Sequence, residues 1–300
     1  MKRNLIYFIN PISGTRNKKD LIELISVETK NNNTPFQILN TNKEGDYSFL
    51  PTKITSENIS DVIICGGDGT VSQITSFLLN TSVNIGIIPM GSGNGLALAA
   101  RIPKNIRKAL KIIFEGKSNY IDGFYINDKF GCMLAGLGFD AQVAHDFSTQ
   151  KKRGLYTYIL LSIRNFFAAK AYPFRVEVNH QQMKTDALFI SIANSNQFGN
   201  HVTIAPKASL NDGLLDIVIV TKMNKLLAMF SLLRQISIGK ILPKEQLVTK
   251  NKSILYFHTD KLIIDNPKEA PLHLDGEPIP TEKRIEVRVL RNAFKLLQPA

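Results

Sequence analysis

Short apolar segments rich in β-branched residues alternate with helical patterns along the first third of the chain. The pattern predicts strands at 4–9, 36–39, 61–65 and 84–89, with helices near 16–28, 45–57, 70–80 and 104–114. Strands that alternate with helices are typical of a parallel sheet. The first part of the chain is therefore expected to be an α/β domain.

Closely spaced strand patterns dominate the rest of the chain. Strands are predicted at 120–126, 129–134, 174–178, 187–193, 214–220, 254–258 and 261–265, with amphipathic helices at 154–171 and 224–241. The change of character predicts an α/β domain over 1–119 and a β-rich domain over 120–283. A last strand at 284–290 could join either domain, so residues 284–300 could complete the first.

The strongest local motif is Gly66-Gly67-Asp68-Gly69-Thr70, which follows an apolar strand and precedes a helical pattern. Its glycines allow a sharp turn and a close approach of the backbone to a ligand, and a helix N-terminus favours a phosphate. An ordinary βα turn capped by Asp68 is the simpler alternative.

Two further glycine loops make that alternative less favourable. Residues 10–14 (Asn-Pro-Ile-Ser-Gly) and 89–95 (Pro-Met-Gly-Ser-Gly-Asn-Gly) also follow apolar strands and precede helical patterns. Because the carboxyl ends of parallel strands lie along one edge of a sheet, the three loops can form a single nucleotide crevice. Neither GxGxxG nor GxxxxGK[ST] occurs, which argues against a standard dinucleotide-binding or P-loop enzyme.

These loops, in this order and spacing, resemble the diacylglycerol kinase catalytic family, which includes sphingosine kinases. The resemblance extends over 136–141 (Gly-Leu-Gly-Phe-Asp-Ala), 193–194, 205–216 and Asp275-Gly276-Glu277. Where the family usually has Gly-Thr and Asn-Asp, this chain has Ser92 and Asn94-Gly95, which is more similar to sphingosine kinases. The resemblance implies an N-terminal α/β domain like that of NAD kinases and phosphofructokinases, and a C-terminal β-sandwich-like domain.

The family's activity implies transfer of the γ-phosphoryl group of ATP to a hydroxyl of a diacylglycerol or sphingoid-type lipid. Asp68, Asp275 and Glu277 are the expected catalytic residues, and the 275/277 pair carries the base. A solvated β-turn is the alternative for that pair. The expected nucleotide-binding residues are Asn10, Pro11, Ser13, Gly14, Thr41, Gly66, Gly67, Asp68, Gly69, Thr70, Gly91, Ser92 and Asn94. Thr41 could also be a helix N-cap, and the two roles are compatible.

The resemblance also implies Mg²⁺. Asp68 could hold the ion that accompanies ATP directly or through water, and Thr70 could supply a hydroxyl ligand. A second, structural Mg²⁺ would be bound by the carbonyls of Ser209 and Leu214 and the carboxylate of Asp212, and oxygen ligands suit such a cation. A hairpin turn is the alternative at 211–213. We expect Asp68→Ala and Asp275→Asn to abolish turnover with little loss of folding.

Charge and composition limit the classes of molecule that the protein is expected to bind. The chain has 37 Lys and Arg against 25 Asp and Glu, a net charge of +12, so its surface should attract anions. The basic residues are scattered without a nucleic-acid-binding signature, which argues against nucleic acid. A cytoplasmic protein is expected from the two unpatterned cysteines and the lack of a signal peptide.

No apolar stretch reaches the roughly 20 residues of a membrane span. Contact with a membrane-borne lipid should therefore be peripheral, and the basic and aromatic residues of 151–167 are candidates for it, with a packed helix as the simpler alternative. A homodimer is an open alternative for the oligomeric state. Two other functions also stay open: an NAD kinase-like enzyme with a soluble substrate, and an inactive nucleotide- or lipid-binding regulator.

Overall fold

The structure is a computed structural model that describes residues 3–14, 17–150, 155–197, 205–221 and 254–300. The chain divides into two compact units. The first comprises residues 1–123 and 291–300, and the second comprises residues 124–290. The predicted helix at 224–241 lies outside the described residues.

A parallel sheet in the order β2-β1-β3-β4 forms the centre of the first unit. Its strands are β1 (Leu5–Ile9), β2 (Phe36–Asn40), β3 (Asp61–Gly66) and β4 (Asn84–Pro89). Every residue of β1 and β3 is buried, as expected for strands covered on both faces. The parallel α/β sheet predicted from the alternating pattern is confirmed.

Helices connect these strands and follow the last of them. They are α1 (Lys18–Asn31), α2 (Leu50–Ser56), α3 (Asp68–Ser76), α4 (Gly95–Ala99) and α5 (Ile106–Glu115). Asparagine side chains cap two of them: Asn17 accepts from the N–H of Lys19, and Asn105 accepts from that of Lys108. Five-residue α4 was not predicted, because it is too short to show a helical period.

Antiparallel strands make up most of the second unit. They are β6 (Lys129–Gly131), β7 (Leu134–Gly138), β8 (Tyr172–Val178), β9 (Gln181–Ala193), β10 (Leu215–Thr221), β11 (Ile254–Thr259), β12 (Lys261–Asp265), β13 (Leu272–Leu274) and β14 (Glu277–Ile279). β9 pairs with β8 through its first half and with β7 and β10 through its second half. Its inward-facing residues, including Ile190 and Ile192, are fully buried in the core of this unit.

Two strands have residues in both units. β5 (Lys117–Ile126) begins in the first and ends in the second, whereas β15 (Arg284–Gln298) begins in the second and ends in the first. The last residues of β15 pair in parallel with β4, with Lys295 opposite Asn84. β15 is therefore much longer than the predicted strand at 284–290.

A hydrogen bond from Asn165 of one helix to Asp146 of another joins two helices of the second unit. The amide groups of Asn165 in α7 (Leu155–Ala168) and Gln142 in α6 (Phe139–Ser148) donate to the carboxylate of Asp146, each at 2.9 Å. Partial burial acts to raise the pKa of Asp146, but these bonds outweigh it and hold the pKa below its ordinary value. None of the helices in the described part of the chain is long and apolar enough to cross a membrane.

Candidate functional site

The three glycine loops of the first unit follow neighbouring strands and meet at one edge of the sheet. The end of β1 lies beside the end of β3, with Ile9 opposite Cys65. Hydrogen bonds continue past the strands: the N–H of Asn10 donates to the carbonyl of Cys65 at 3.0 Å, and the N–H of Met90 donates to that of Gly66 at 2.8 Å. The parallel register thus places all three loops together, as the pattern predicted.

The loops touch through their backbones, so that side chains would not fit. A Cβ atom on Gly91 would lie 2.6 Å from the Cα of Gly67, and one on Gly14 would lie 2.6 Å from the carbonyl oxygen of Met90. Gly14 also has a φ of +67°, in the left-handed region. Glycine is required at these contacts because any side chain would push two loops apart.

Side chains within the loops fix their shape. The amide of Asn10 donates to the hydroxyl of Thr70 at 2.8 Å, and its carbonyl accepts from the N–H of Ile12. Asn94 is buried in the left-handed conformation, where its amide group closes a ring with the backbone N–H and carbonyl of Gly91. These contacts show that both asparagines stabilise the conformation of their loops. Their predicted role in orienting a nucleotide stays a prediction.

Helix α3 begins inside the central loop. Gly67 is its N-cap and has no side chain to offer, so no side-chain cap competes for the first N–H groups of the helix. Asp68 and Gly69 form the first turn and are partly exposed. This loop therefore presents a helix N-terminus, with its partial positive charge, beside the other two loops.

The remaining predicted nucleotide residues differ in their exposure. Pro11 and Ser92 are exposed, and Ser13 is half-buried with its hydroxyl 3.4 Å from the carbonyl of Asn10. Thr41 directly follows β2, and its N–H donates to the carbonyl of Ile9 at 3.0 Å, which places it at the same sheet edge. The helix N-cap alternative for Thr41 is wrong, because the next helix, α2, begins only at Leu50.

Lys18 is a candidate that the sequence did not single out. It is the first residue of α1, and its amine donates to the carbonyl of Ser13 in the first glycine loop. Partial burial lowers the pKa of this amine from its ordinary value. The available signal is a lysine four residues after Gly14, near the start of a predicted helix, at a spacing that matches no Walker motif.

In the second unit, the two carboxylates of the acidic turn have different environments. Asp275 is buried with φ +50°, and its carboxylate accepts from three backbone N–H groups, those of Cys132 and Met133 at 2.9 Å and of Leu134 at 3.0 Å. Glu277, the first residue of β14, is exposed. Asp275 therefore has the contacts of a structural anchor, and Glu277 is the carboxylate accessible to solvent.

The predicted structural magnesium loop is a tight turn. Asp212 is exposed, its carboxylate accepts from the N–H of Leu214 at 3.1 Å, and Gly213 has φ +73°. Burial raises the pKa of nearby Asp216, and the negative charge of Asp212 raises it further. Within the described ranges no group of three His, Cys, Asp or Glu could hold a metal. The oxygen-rich turn fits a hard cation, and the roles of Ser209, Asp212 and Leu214 stay a prediction.

Comparisons with protein families cover both parts of the chain. Residues 4–126 match the model of the diacylglycerol kinase catalytic domain. Residues 134–298 match the model of the YegS C-terminal NAD kinase beta sandwich-like domain. The predicted combination of an α/β domain with a β-sandwich-like domain is thus confirmed.

Individual relatives lead to the same grouping. A protein of Shewanella frigidimarina named probable lipid kinase YegS-like is 30% identical over 256 residues, which are 83% of this chain and 79% of the relative. A diacylglycerol kinase of Staphylococcus aureus is 27% identical over 92% of this chain and 87% of its own length. The crystal structure of a diacylglycerol kinase from Bacillus anthracis str. Sterne has the same fold, with a TM-score of 0.74, 20% identity and coverage of 99% and 97%.

Proposed function

Because the chain belongs to the diacylglycerol kinase family and its catalytic domain is followed by a YegS C-terminal domain, we propose that it is an ATP-dependent lipid kinase. It transfers the γ-phosphoryl group of ATP to a hydroxyl group of a lipid. The acceptor is a diacylglycerol or a sphingoid-type lipid. The observation that carries this proposal is the backbone contact of three glycine loops around the N-terminus of α3.

The nucleotide phosphates bind to these loops. Backbone N–H groups of residues 67–69 and of Gly14 donate to phosphate oxygens, whereas Gly66 is buried in β3 and pairs with Pro89 of β4. The N-terminus of α3 contributes its partial positive charge. Lys18 adds a cation at the first loop. Phosphoryl transfer depends mainly on such positioning and charge neutralisation. The contact between Gly67 and Gly91 keeps the cradle rigid and so limits the reorganisation needed during transfer.

Glu277 is the base in this proposal. It accepts the proton of the lipid hydroxyl as the oxygen attacks the γ-phosphorus and the bond to the β-phosphate oxygen breaks. Exposure leaves its carboxylate open to a substrate, whereas the carboxylate of Asp275 is occupied by three backbone N–H groups. Asp275 then holds the turn that carries Glu277. General base catalysis of this kind contributes about 10²–10⁴-fold in rate.

Magnesium is expected at two positions. Asp68 and Thr70 would hold the ion that accompanies ATP, and the Ser209–Leu214 turn would hold a structural ion with Asp212 as its carboxylate ligand. When bound, Mg²⁺ neutralises phosphate charge and favours negative charge on the leaving oxygen. Of the chain's own residues, Asn10 holds the hydroxyl of Thr70 in place by its 2.8 Å hydrogen bond.

The lipid acceptor requires contact with a membrane surface, and α7 offers a surface of suitable chemistry. Leu160, Ile163 and Phe167 are 49%, 37% and 45% exposed and lie along one side of the helix at three- and four-residue spacing. Arg164 and Lys170 are exposed nearby and would attract anionic headgroups. The basic residues 151–153, also predicted to contribute, lie outside the described residues. We propose that α7 rests on the bilayer peripherally.

A lipid-panel assay tests the function. Purified protein is incubated with Mg²⁺, γ-labelled ATP and vesicles that contain diacylglycerol, a sphingoid base or ceramide, with NAD as a soluble acceptor. Label in the organic phase is expected, and label on NAD or on no acceptor would refute the proposal. Glu277→Gln should reduce lipid labelling about 10²–10⁴-fold. The matched control Glu282→Gln changes another exposed glutamate of the same unit and should retain full activity.

Vesicle sedimentation tests the membrane contact. Replacing both Leu160 and Phe167 by serine should reduce binding to vesicles and raise the apparent KM for the lipid, with little change in KM for ATP. The control Val27→Ser removes an equally exposed apolar side chain from α1 of the other unit. Equal loss of binding in the control, or full binding by the double variant, would contradict the role of α7.

A further inference from the structure

A buried acid–histidine pair lies close to the acidic turn of the second unit. Asp140 is in the first turn of α6, and His273 is in β13, two residues before Asp275. Their side chains are 5% and 1% exposed, and the Nε2 atom of His273 lies 3.5 Å from the Oδ2 atom of Asp140. Neither residue has a role in the phosphoryl transfer described above.

The glycine-rich motif at 136–141 creates the space in which the pair meets. Gly136 lies opposite His273 across the β7–β13 pairing. A Cβ atom on Gly136 would lie 1.9 Å from the Oδ2 atom of Asp140 and 2.7 Å from the Nε2 atom of His273. Gly138, with φ +89°, then turns the chain into α6 so that Asp140 faces back towards β13. The motif is therefore explained by the pair that it accommodates.

The contacts on the two sides of the ring indicate which nitrogen of His273 carries the proton. The Oδ1 atom of Asp140 accepts from the N–H of Ala141 at 2.9 Å, whereas no residue in the described part of the chain donates a hydrogen bond of good geometry to its buried Oδ2 atom. A buried carboxylate oxygen favours a hydrogen-bond donor, and the Nε2 atom of His273 lies 3.5 Å away. On the other side of the ring, Nδ1 accepts from the N–H of Gly276 at 3.3 Å. Both contacts require the Nε2–H tautomer.

We propose that Asp140 and His273 are positioning residues for the catalytic turn. Asp140 holds the proton on Nε2, so that Nδ1 accepts from the N–H of Gly276 and fixes the turn from which Glu277 projects. Asp275 and Gly276 have φ values of +50° and +84°, so two consecutive residues are left-handed and the turn needs external support. This inference rests on the proposed lipid kinase function and on Glu277 as its base.

Three substitutions separate this role from simple packing. In His273→Asn, the side-chain oxygen replaces Nδ1 and still accepts from Gly276. In His273→Gln, the amide reaches towards Asp140 in place of Nε2 but offers nothing at the Nδ1 position. Asp140→Asn keeps the shape and presents N–H donors to Nε2, which moves the ring proton to Nδ1 and removes the acceptor for Gly276. His258→Gln is the control, because His258 is exposed in the same unit.

Steady-state kinetics with the lipid acceptor give the first readout. His273→Gln and Asp140→Asn should lower kcat about 10–100-fold, as expected for displacement of a catalytic group by roughly 1 Å, while KM for ATP changes less than about twofold. His273→Asn should retain kcat within about threefold of wild type, and the control should be unchanged. Equal losses in His273→Asn and His273→Gln, or a fully active Asp140→Asn protein, would overturn the inference.

Nitrogen NMR gives a second readout that does not depend on activity. In protein labelled with ¹⁵N-histidine, His273 is one of five histidines and is assigned by its absence from the His273→Asn spectrum. At about pH 8.5, roughly 2 units above the ordinary histidine pKa, the wild type should show a protonated Nε2 and a bare Nδ1. A proton on Nδ1 in the wild type refutes the inference. A wild-type protein that labels no lipid refutes the proposed function instead, and the spectrum still decides whether the pair supports the turn.

Discussion

Replacing Asp275 by asparagine should destabilise the second unit, which revises the expectation that this change leaves folding almost intact. The substitution keeps the shape of the side chain. It replaces one carboxylate oxygen by an NH₂ group, however, and both oxygens accept backbone N–H groups. If the remaining oxygen keeps the N–H groups of Met133 and Leu134, the new NH₂ group faces the N–H of Cys132. Two donors then face each other in place of the 2.9 Å hydrogen bond from Cys132 to the carboxylate.

The size of this effect follows from the bonds that change. A hydrogen bond to a charged group contributes about 1.5–3 kcal/mol, and a buried donor left without an acceptor costs about 1–3 kcal/mol. The two contributions overlap, and relief from burying a charge offsets part of the loss. The free energy of unfolding should therefore fall by about 2–4 kcal/mol.

Urea unfolding followed by circular dichroism measures this change. Glu277→Gln is the matched comparison, because Glu277 belongs to the same turn but is exposed and should lose activity without losing stability. Asp275→Asn should shift the unfolding midpoint to lower urea and also lower activity. A variant of Asp275 that unfolds at the wild-type urea concentration would refute the anchoring role drawn from its three backbone contacts.

Three further predictions follow from the contacts described above. Gly91→Ala should lower kcat/KM about 100-fold with only about 1–3 kcal/mol lost in stability, because the new methyl group forces the loop away from Gly67; ATP kinetics and urea unfolding measure both, and wild-type activity would contradict the close contact. Lys18→Ala should raise KM for ATP, whereas Lys19→Ala, which removes the exposed neighbouring amine, should not; equal effects of the two changes would exclude a local role for Lys18. Despite the partial burial that acts in the opposite direction, hydrogen bonds hold the pKa of Asp146 below its ordinary 3.8, so its ionised form stabilises the folded state above that value. Asp146→Asn should therefore be less stable than wild type at neutral pH, and the difference should disappear as pH falls through the lowered pKa; a difference independent of pH would contradict this assignment.

The sequence by itself determined the nucleotide half of this protein to a large extent. Buried strands of β-branched residues, each followed by a glycine loop and a helix, predict a parallel sheet, and a parallel sheet leaves little choice about where such loops meet. Both the α/β unit and the family followed from residues 10–14, 66–70 and 91–94. This information is local, because a strand, its loop and the helix that follows are contiguous in the chain.

Only the tertiary structure decided the roles of residues whose partners are far away in sequence. In the sequence, Asp275 and Glu277 are an equivalent acidic pair. The fold brings residues 132–134, more than 140 positions away, against the carboxylate of Asp275 and leaves that of Glu277 exposed. Asp140 and His273 similarly become a pair only because β7 and β13 are neighbours. Burial and long-range hydrogen bonding set the chemistry of a carboxylate, and no local pattern of residues contains either of them.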